Sequence, residues 1–155
     1  MFFIGSIFLT NFYILLYGKI FSKFYFKDNN NSVYEIAILG SIFVAFLGLL
    51  VNFLLPLNKI TNSIIFLIPF FFLLKKKFFN KNDLFFLILS TIFVYFIIIF
   101  STINRPDAGL YHLPFTQILN EHKIILGLSN IHSRFGHISI IQYLSAINYN
   151  FINGL

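Results

Sequence analysis

Long apolar runs separated by short polar segments dominate the first hundred residues of the chain. An α-helix needs about 20 mostly apolar residues to cross a hydrocarbon core about 30 Å thick. The third run is short and contains Pro69, whereas the second and fourth meet the requirement well. The pattern predicts an all-α, polytopic transmembrane helical bundle over residues 1–101. Its four candidate spans are residues 2–21, 34–57, 60–74 and 84–100.

Polar residues interrupt the helical spacing throughout residues 102–137, which we predict to be one external polar loop. Pro106 restricts the residue before it to extended conformations, and Asp107 is well placed as a helix N-cap. Pro114 should kink or interrupt the helix that follows. An amphipathic helix at the membrane interface is expected here. Its apolar face consists of Leu110, Leu113, Phe115, Ile118 and Leu119, opposite Tyr111, His112, Thr116, Gln117, Asn120 and Glu121. Residues 138–155 should begin a further helix.

Composition agrees with a membrane protein, since 58% of the residues are hydrophobic and only 10% are charged. Soluble domains have about 45–50% apolar and about 25% charged residues. The chain has no cysteine, which excludes disulfides, thiolate metal sites and thiol nucleophiles. The net charge of +6 comes mostly from lysines between apolar runs. We therefore interpret the charge as a topology signal and expect no nucleic-acid partner.

The distribution of lysines predicts the orientation. Three lie at the end of the first run or just after it and four follow the third, whereas only Lys59 lies between the second and third. Under the positive-inside rule the first and third loops are cytoplasmic. The N-terminus and residues 102–155 are then expected on the periplasmic side of a bacterial inner membrane. This conclusion requires the third run to cross the membrane.

Asp107 and Arg134 are the strongest candidates for function in the polar loop. The Asp107 carboxylate could be an N-cap worth about 1 kcal/mol, or a general base or metal ligand. Arg134 could snorkel to the headgroups, or bind a phosphate through its planar guanidinium. His112 and His132 are either ordinary interfacial histidines or an acid or base that acts with Asp107 and Arg134. His132 and His137 are five residues apart, which is not the spacing of a zinc-binding helix, so no metal site is predicted.

The segment "PDAGLYHLPFTQILNEHKIILGLSNIHSRFG" resembles part of large bacterial polytopic membrane proteins. These have Asp-x-Gly-Leu-Tyr-His followed by Gly-Leu-x-Asn-x-His-x-Arg in their first large external loop. That arrangement is similar to the GT-C class of glycosyltransferases, which use polyprenyl-phosphate sugars as donors. The resemblance implies that Asp107 is the base or the ligand of a divalent cation. It also implies that the donor phosphate or acceptor pocket is lined by Tyr111, His112, Asn130, His132 and Arg134.

Two features depart from that class. Four candidate spans precede the loop, and 155 residues are too few for the many spans of a GT-C enzyme. We expect a GT-C-like glycosyltransferase, or the N-terminal part of one, that contacts membrane lipid and transfers a sugar from a polyprenyl-phosphate donor on the outer face of the membrane. The alternatives are a non-catalytic membrane component, such as a transport or assembly subunit, and a truncated inactive fragment. The sugar and the acceptor are not specified by the sequence.

Overall fold

A computed structural model describes residues 2–25, 32–74, 79–101, 108–136 and 139–152. Every regular element in these ranges is helical, which confirms the all-α prediction for the described part of the chain. The α-helices are α1 (Phe2–Tyr25), α2 (Val33–Leu54), α3 (Lys59–Leu67), α4 (Lys81–Phe100), α5 (Leu113–Glu121) and α6 (Ile141–Ile152). A π-helical turn covers Ala108–His112, and 3-10 helices cover Ile68–Leu74, Leu128–Asn130 and Ser133–Gly136.

Three helices, α1, α2 and α4, are long and apolar enough to cross a membrane, with mean hydropathies of 1.4, 2.4 and 2.5. By the length and composition of these helices, the chain is a membrane protein. α2 ends at Leu54, earlier than the apolar run does, because Pro56 disfavours helical geometry at Leu55. The third run is helical too, but its apolar helix, Lys59–Phe72, is shorter. It changes to a 3-10 helix at Ile68, next to Pro69, which cannot donate a helical hydrogen bond.

The chain forms two compact units. The first contains Met1–Val44 and Ile64–Ser101, and the second contains Ala45–Ser63 and Thr102–Gly154. In the first unit, α1 packs antiparallel against the start of α2 at two glycines. A Cβ on Gly18 would overlap the backbone oxygen of Ile36, and one on Gly40 would overlap that of Ile14. The absence of side chains at these positions lets the two backbones touch.

Polar contacts join α1 to α4 along their length in the first unit. Near the end of α1, Lys19 forms an ion pair with Asp83. Near the middle of α1, the Asn11 amide donates to the Thr91 hydroxyl over 3.4 Å. These contacts make α1 antiparallel to α4 as well as to α2, so α2 and α4 run in the same direction. The chain between them must therefore return to the end at which α2 began.

Candidate functional site

The described part of the polar loop begins with the π-helical turn that carries Tyr111 and His112. α5 follows without a break, since His112 keeps helical backbone angles, and Pro114 lies in its first turn. A proline is tolerated there because the first N–H groups of a helix have no partner within it. The Thr116 hydroxyl donates to the His112 carbonyl over 2.9 Å, which links the two segments. Tyr111 is half-buried and His112 is exposed.

The buried face of α5 differs from the face predicted by helical spacing. Phe115, Thr116 and Leu119 are buried, although Thr116 belongs to the predicted polar face. Leu110 and Leu113, on the predicted apolar face, are 68% and 52% exposed. Thr116 can be buried because its hydroxyl bonds to a carbonyl of the preceding turn. The packing of α5 is therefore set by tertiary contacts as well as by periodicity.

Asn52, near the end of α2, holds the C-terminal end of α5 within the second unit. Its amide nitrogen donates to the His122 carbonyl over 3.0 Å and to the Leu119 carbonyl over 3.3 Å. The last carbonyls of a helix have no partner inside it, so an amide donor satisfies them. A backbone hydrogen bond from Leu57 to Leu119, 2.9 Å long, reinforces the attachment. Asn52 is fully buried.

Asn62, in α3, makes the equivalent connection to α6. Its amide nitrogen donates to the Ala146 carbonyl over 3.1 Å and to the Leu57 carbonyl over 2.7 Å. Asn62 is also fully buried, and its side-chain oxygen has no hydrogen-bond donor among the described residues. Neither Asn52 nor Asn62 was identified from the sequence. The only feature of the sequence that distinguishes these two residues is an amide side chain within an apolar run.

α6 lies against α2 at Gly48, where an added Cβ would approach the side chains of Tyr143 and Ile147. Ser139 and Gln142 start this helix, since the Gln142 side chain accepts from the Ser139 backbone and the Ser139 hydroxyl accepts from Ile141. Burial raises the pKa of the Tyr143 phenol above its usual range. α6 thus begins after the 3-10 helix Ser133–Gly136.

Gly127 reverses the chain after α5, with a left-handed φ of 85°. Two 3-10 turns follow. Arg134 is exposed on the second turn, and His132 is exposed just before it. The ring of Phe135 lies 6.0 Å from that of Phe115, which packs this segment against α5. The Arg134 backbone donates to Nδ1 of His132 over 3.2 Å, so this contact requires that nitrogen to be unprotonated.

The fold brings four of the sequence-predicted residues into one cluster. The Arg134 guanidinium lies over the Tyr111 ring, 4.9 Å from its centroid. The rings of Tyr111 and His112 are 4.2 Å apart, and His132 contacts Arg134 through the bond just described. Gln142, which sequence reasoning missed, lies 3.3 Å from Nδ1 of His112. We use the name cationic cluster for Tyr111, His112, His132 and Arg134.

The other predicted residues have different outcomes. Asn130 is exposed at the end of its 3-10 turn, where its backbone donates to Gly127. Asp107 and His137 lie outside the described residues. No three acidic or histidine side chains come together as a metal site among the residues described.

Comparison with known families gives one result. A family described as a domain of unknown function (DUF8201) matches residues 1–154. Comparisons with curated proteins and with solved structures give no significant match.

Proposed function

The chain belongs to the family described as a domain of unknown function (DUF8201), and we propose that it is a GT-C-like glycosyltransferase or the N-terminal part of one. It would transfer a sugar from a polyprenyl-phosphate donor on the outer face of the membrane. The observation that carries this proposal is the cationic cluster, in which Arg134 stacks on Tyr111 beside two exposed histidines. The resemblance of residues 106–136 to GT-C-like proteins supplies the reaction.

The cluster has the chemistry needed to bind a phosphate. When the face of a guanidinium stacks on an aromatic ring, its N–H groups point outward in the guanidinium plane. There they can donate two parallel hydrogen bonds to one oxyanion. In the proposed reaction the phosphate is the leaving group, so donors that face it stabilise the charge that develops. Arg134 would provide the permanent positive charge, and His112 and His132 would provide further donors. Asp107, which directly precedes the π-helical turn in sequence, would deprotonate the acceptor hydroxyl.

Apolar side chains of the same loop support a location at headgroup depth. Leu126 and Ile131 are 88% and 78% exposed, and Leu110 is 68% exposed. Polar and exposed apolar groups on one segment are typical of chains that lie in the membrane interface. The phosphate of a lipid-linked donor occupies the same depth.

Two contacts are consistent with the predicted orientation. Because α2 and α4 run in the same direction, the chain between them must return to the side of the membrane on which α2 began. A third segment that crosses the membrane would make this return. The loop helix α5 is attached to Asn52 at the end of α2, which is the outer end if the first loop is cytoplasmic. We propose that residues 55–59 and 108–136 both lie on the outer side.

Arg134→Gln should lower the turnover of sugar transfer by about 100-fold, a loss typical of removing one donor to a developing oxyanion. Arg134→Lys should recover only part of it, because lysine keeps the charge and lacks the planar fork. Transfer from a polyprenyl-phosphate sugar by the full-length protein in liposomes is the measurement. Lys123→Gln is the matched control, since Lys123 is an exposed cation of the same loop. Unchanged turnover of Arg134→Gln would exclude the cluster from the reaction.

Single cysteines should test the orientation cleanly, because the chain has none of its own. A membrane-impermeant maleimide applied to intact cells should label Ser129→Cys and Lys59→Cys. It should label Phe24→Cys only after the membrane has been permeabilised. All three native side chains are exposed. Labelling of Phe24→Cys but not Ser129→Cys in intact cells would reverse the proposed orientation.

A further inference from the structure

A cavity of about 770 Å³ lies in the first unit, among the end of α1 and the beginnings of α2 and α4. Its volume is within the range of small-molecule sites, about 300–1,000 Å³. None of its lining residues belongs to the polar loop. Its polar lining includes Lys19, Ser22, Lys23 and Asp83.

The charged residues of this cavity give it a net positive charge. Asp83 is buried and is compensated by its ion pair with Lys19 and by the backbone N–H of Asn80, 2.6 Å away. The Lys19 ammonium also lies 4.8 Å from the Phe79 ring centroid, which helps to fix its position. Lys23 has an exposed side chain and forms no ion pair with a described carboxylate. One positive charge therefore remains for an anion.

Another part of the lining is apolar and open. Tyr34 and Phe85 are 67% and 69% exposed, and Leu89 is 53% exposed. Phe85 and Leu89 belong to α4, one of the helices that can cross a membrane. Apolar side chains exposed on such a helix are suited to contact acyl chains. A small soluble anion would leave this wall unused.

We propose that this cavity binds an anionic phospholipid, with its phosphate beside Lys23 and Lys19 and its acyl chains along Phe85 and Leu89. Basic pockets between transmembrane helices are known sites for anionic headgroups. The site lies at the end of α1 where lysines of the first loop begin, which is the cytoplasmic side under the positive-inside rule. It is independent of the sugar transfer proposed for the polar loop.

The test measures the thermal stability of the full chain in nanodiscs of phosphatidylcholine as phosphatidylglycerol is titrated in. Phosphatidylglycerol should raise the midpoint of unfolding in a saturable way. Lys23→Gln should weaken the apparent affinity about fivefold, the effect of one lysine near an anionic surface. This substitution keeps the Lys19 ion pair, so the variant should fold. Lys59→Gln, which removes an exposed cation outside the cavity, should leave the affinity unchanged.

Every other outcome overturns the proposal. Equal losses in Lys23→Gln and Lys59→Gln would mean a diffuse attraction to the anionic surface. The absence of a saturable shift would mean that there is no lipid site. A further measurement adds inorganic phosphate to phosphatidylcholine nanodiscs. It distinguishes a phospholipid headgroup from free phosphate as the anion that binds. A phosphate-induced shift as large as that of phosphatidylglycerol, lost in Lys23→Gln, would indicate a soluble phosphate ligand.

Discussion

Gly40→Ala is expected to prevent the close packing of α1 and α2 and to remove most of the folded protein. The added Cβ would overlap the backbone carbonyl of Ile14 and crowd the backbone nitrogen of Gly18. Backbone atoms in two packed helices cannot move aside as a flexible side chain can. Overpacking of a core costs about 1–3 kcal/mol, and the loss here should lie at or above the upper end. Gly18→Ala should have a similar effect through its overlap with Ile36.

Gly5→Ala is the matched control for this experiment, because Gly5 also lies in α1 and an added Cβ there meets no atom within 4 Å among the described residues. Alanine favours a helix over glycine by about 1 kcal/mol, so this variant should be at least as stable as the wild type. The measurements are the yield of monodisperse protein after extraction and the midpoint of thermal unfolding. If Gly40→Ala and Gly5→Ala behave alike, the glycine contact between α1 and α2 is wrong.

Asn52→Ala should detach α5 from the end of α2 while α1, α2 and α4 remain helical. The substitution removes the donor to the carbonyls of Leu119 and His122, which lie at the end of the helix. The Leu119 carbonyl keeps its bond from the Leu57 backbone, so the His122 carbonyl is the group that loses its donor. A buried group left without a partner costs about 1–3 kcal/mol, so we expect a loss of about 2 kcal/mol. Asn52→Asp should be worse, because a carboxylate cannot donate to these carbonyls and its charge is buried.

Hydrogen exchange should locate this effect. The amides of residues 113–122 should exchange faster in Asn52→Ala, whereas those of α1 and α4 should keep their protection. Gln117→Ala is the control on the same helix, since the exposed Gln117 side chain bonds only to the exposed Glu121, over 2.8 Å, in the contacts described. Unchanged exchange of residues 113–122 in Asn52→Ala would mean that α5 is held by other contacts.

The helices were largely predictable because an apolar run of the length of a bilayer has few alternatives to a helix. The predicted bounds of the first, second and fourth runs differ from those of α1, α2 and α4 by only a few residues. The third run was harder, because a proline near its middle changes the helix type. Local sequence therefore determined where the helices are and where they are interrupted.

The candidate site was predictable as a list of residues but not as an arrangement. Tyr111 and Arg134 are far apart in sequence, and their stacking depends on the chain reversal at Gly127 and on the packing of Phe135 against Phe115. Periodicity also assigned Thr116 to the wrong face of α5, because a local hydrogen bond allows it to be buried. Asn52 and Asn62 gave no pattern that could reveal their partners.

The sequence by itself determined the membrane character, the helical class and the concentration of reactive side chains in one polar loop. These properties depend on composition and on spacing along the chain, and both can be counted without a fold. Only the tertiary structure decided which helices touch at glycines and which amides hold α5 and α6. It also decided which cations line one cavity and which cation stacks on an aromatic ring. Such contacts join residues that are distant in sequence, and they form only when backbones approach closely enough for side chains and carbonyls to meet.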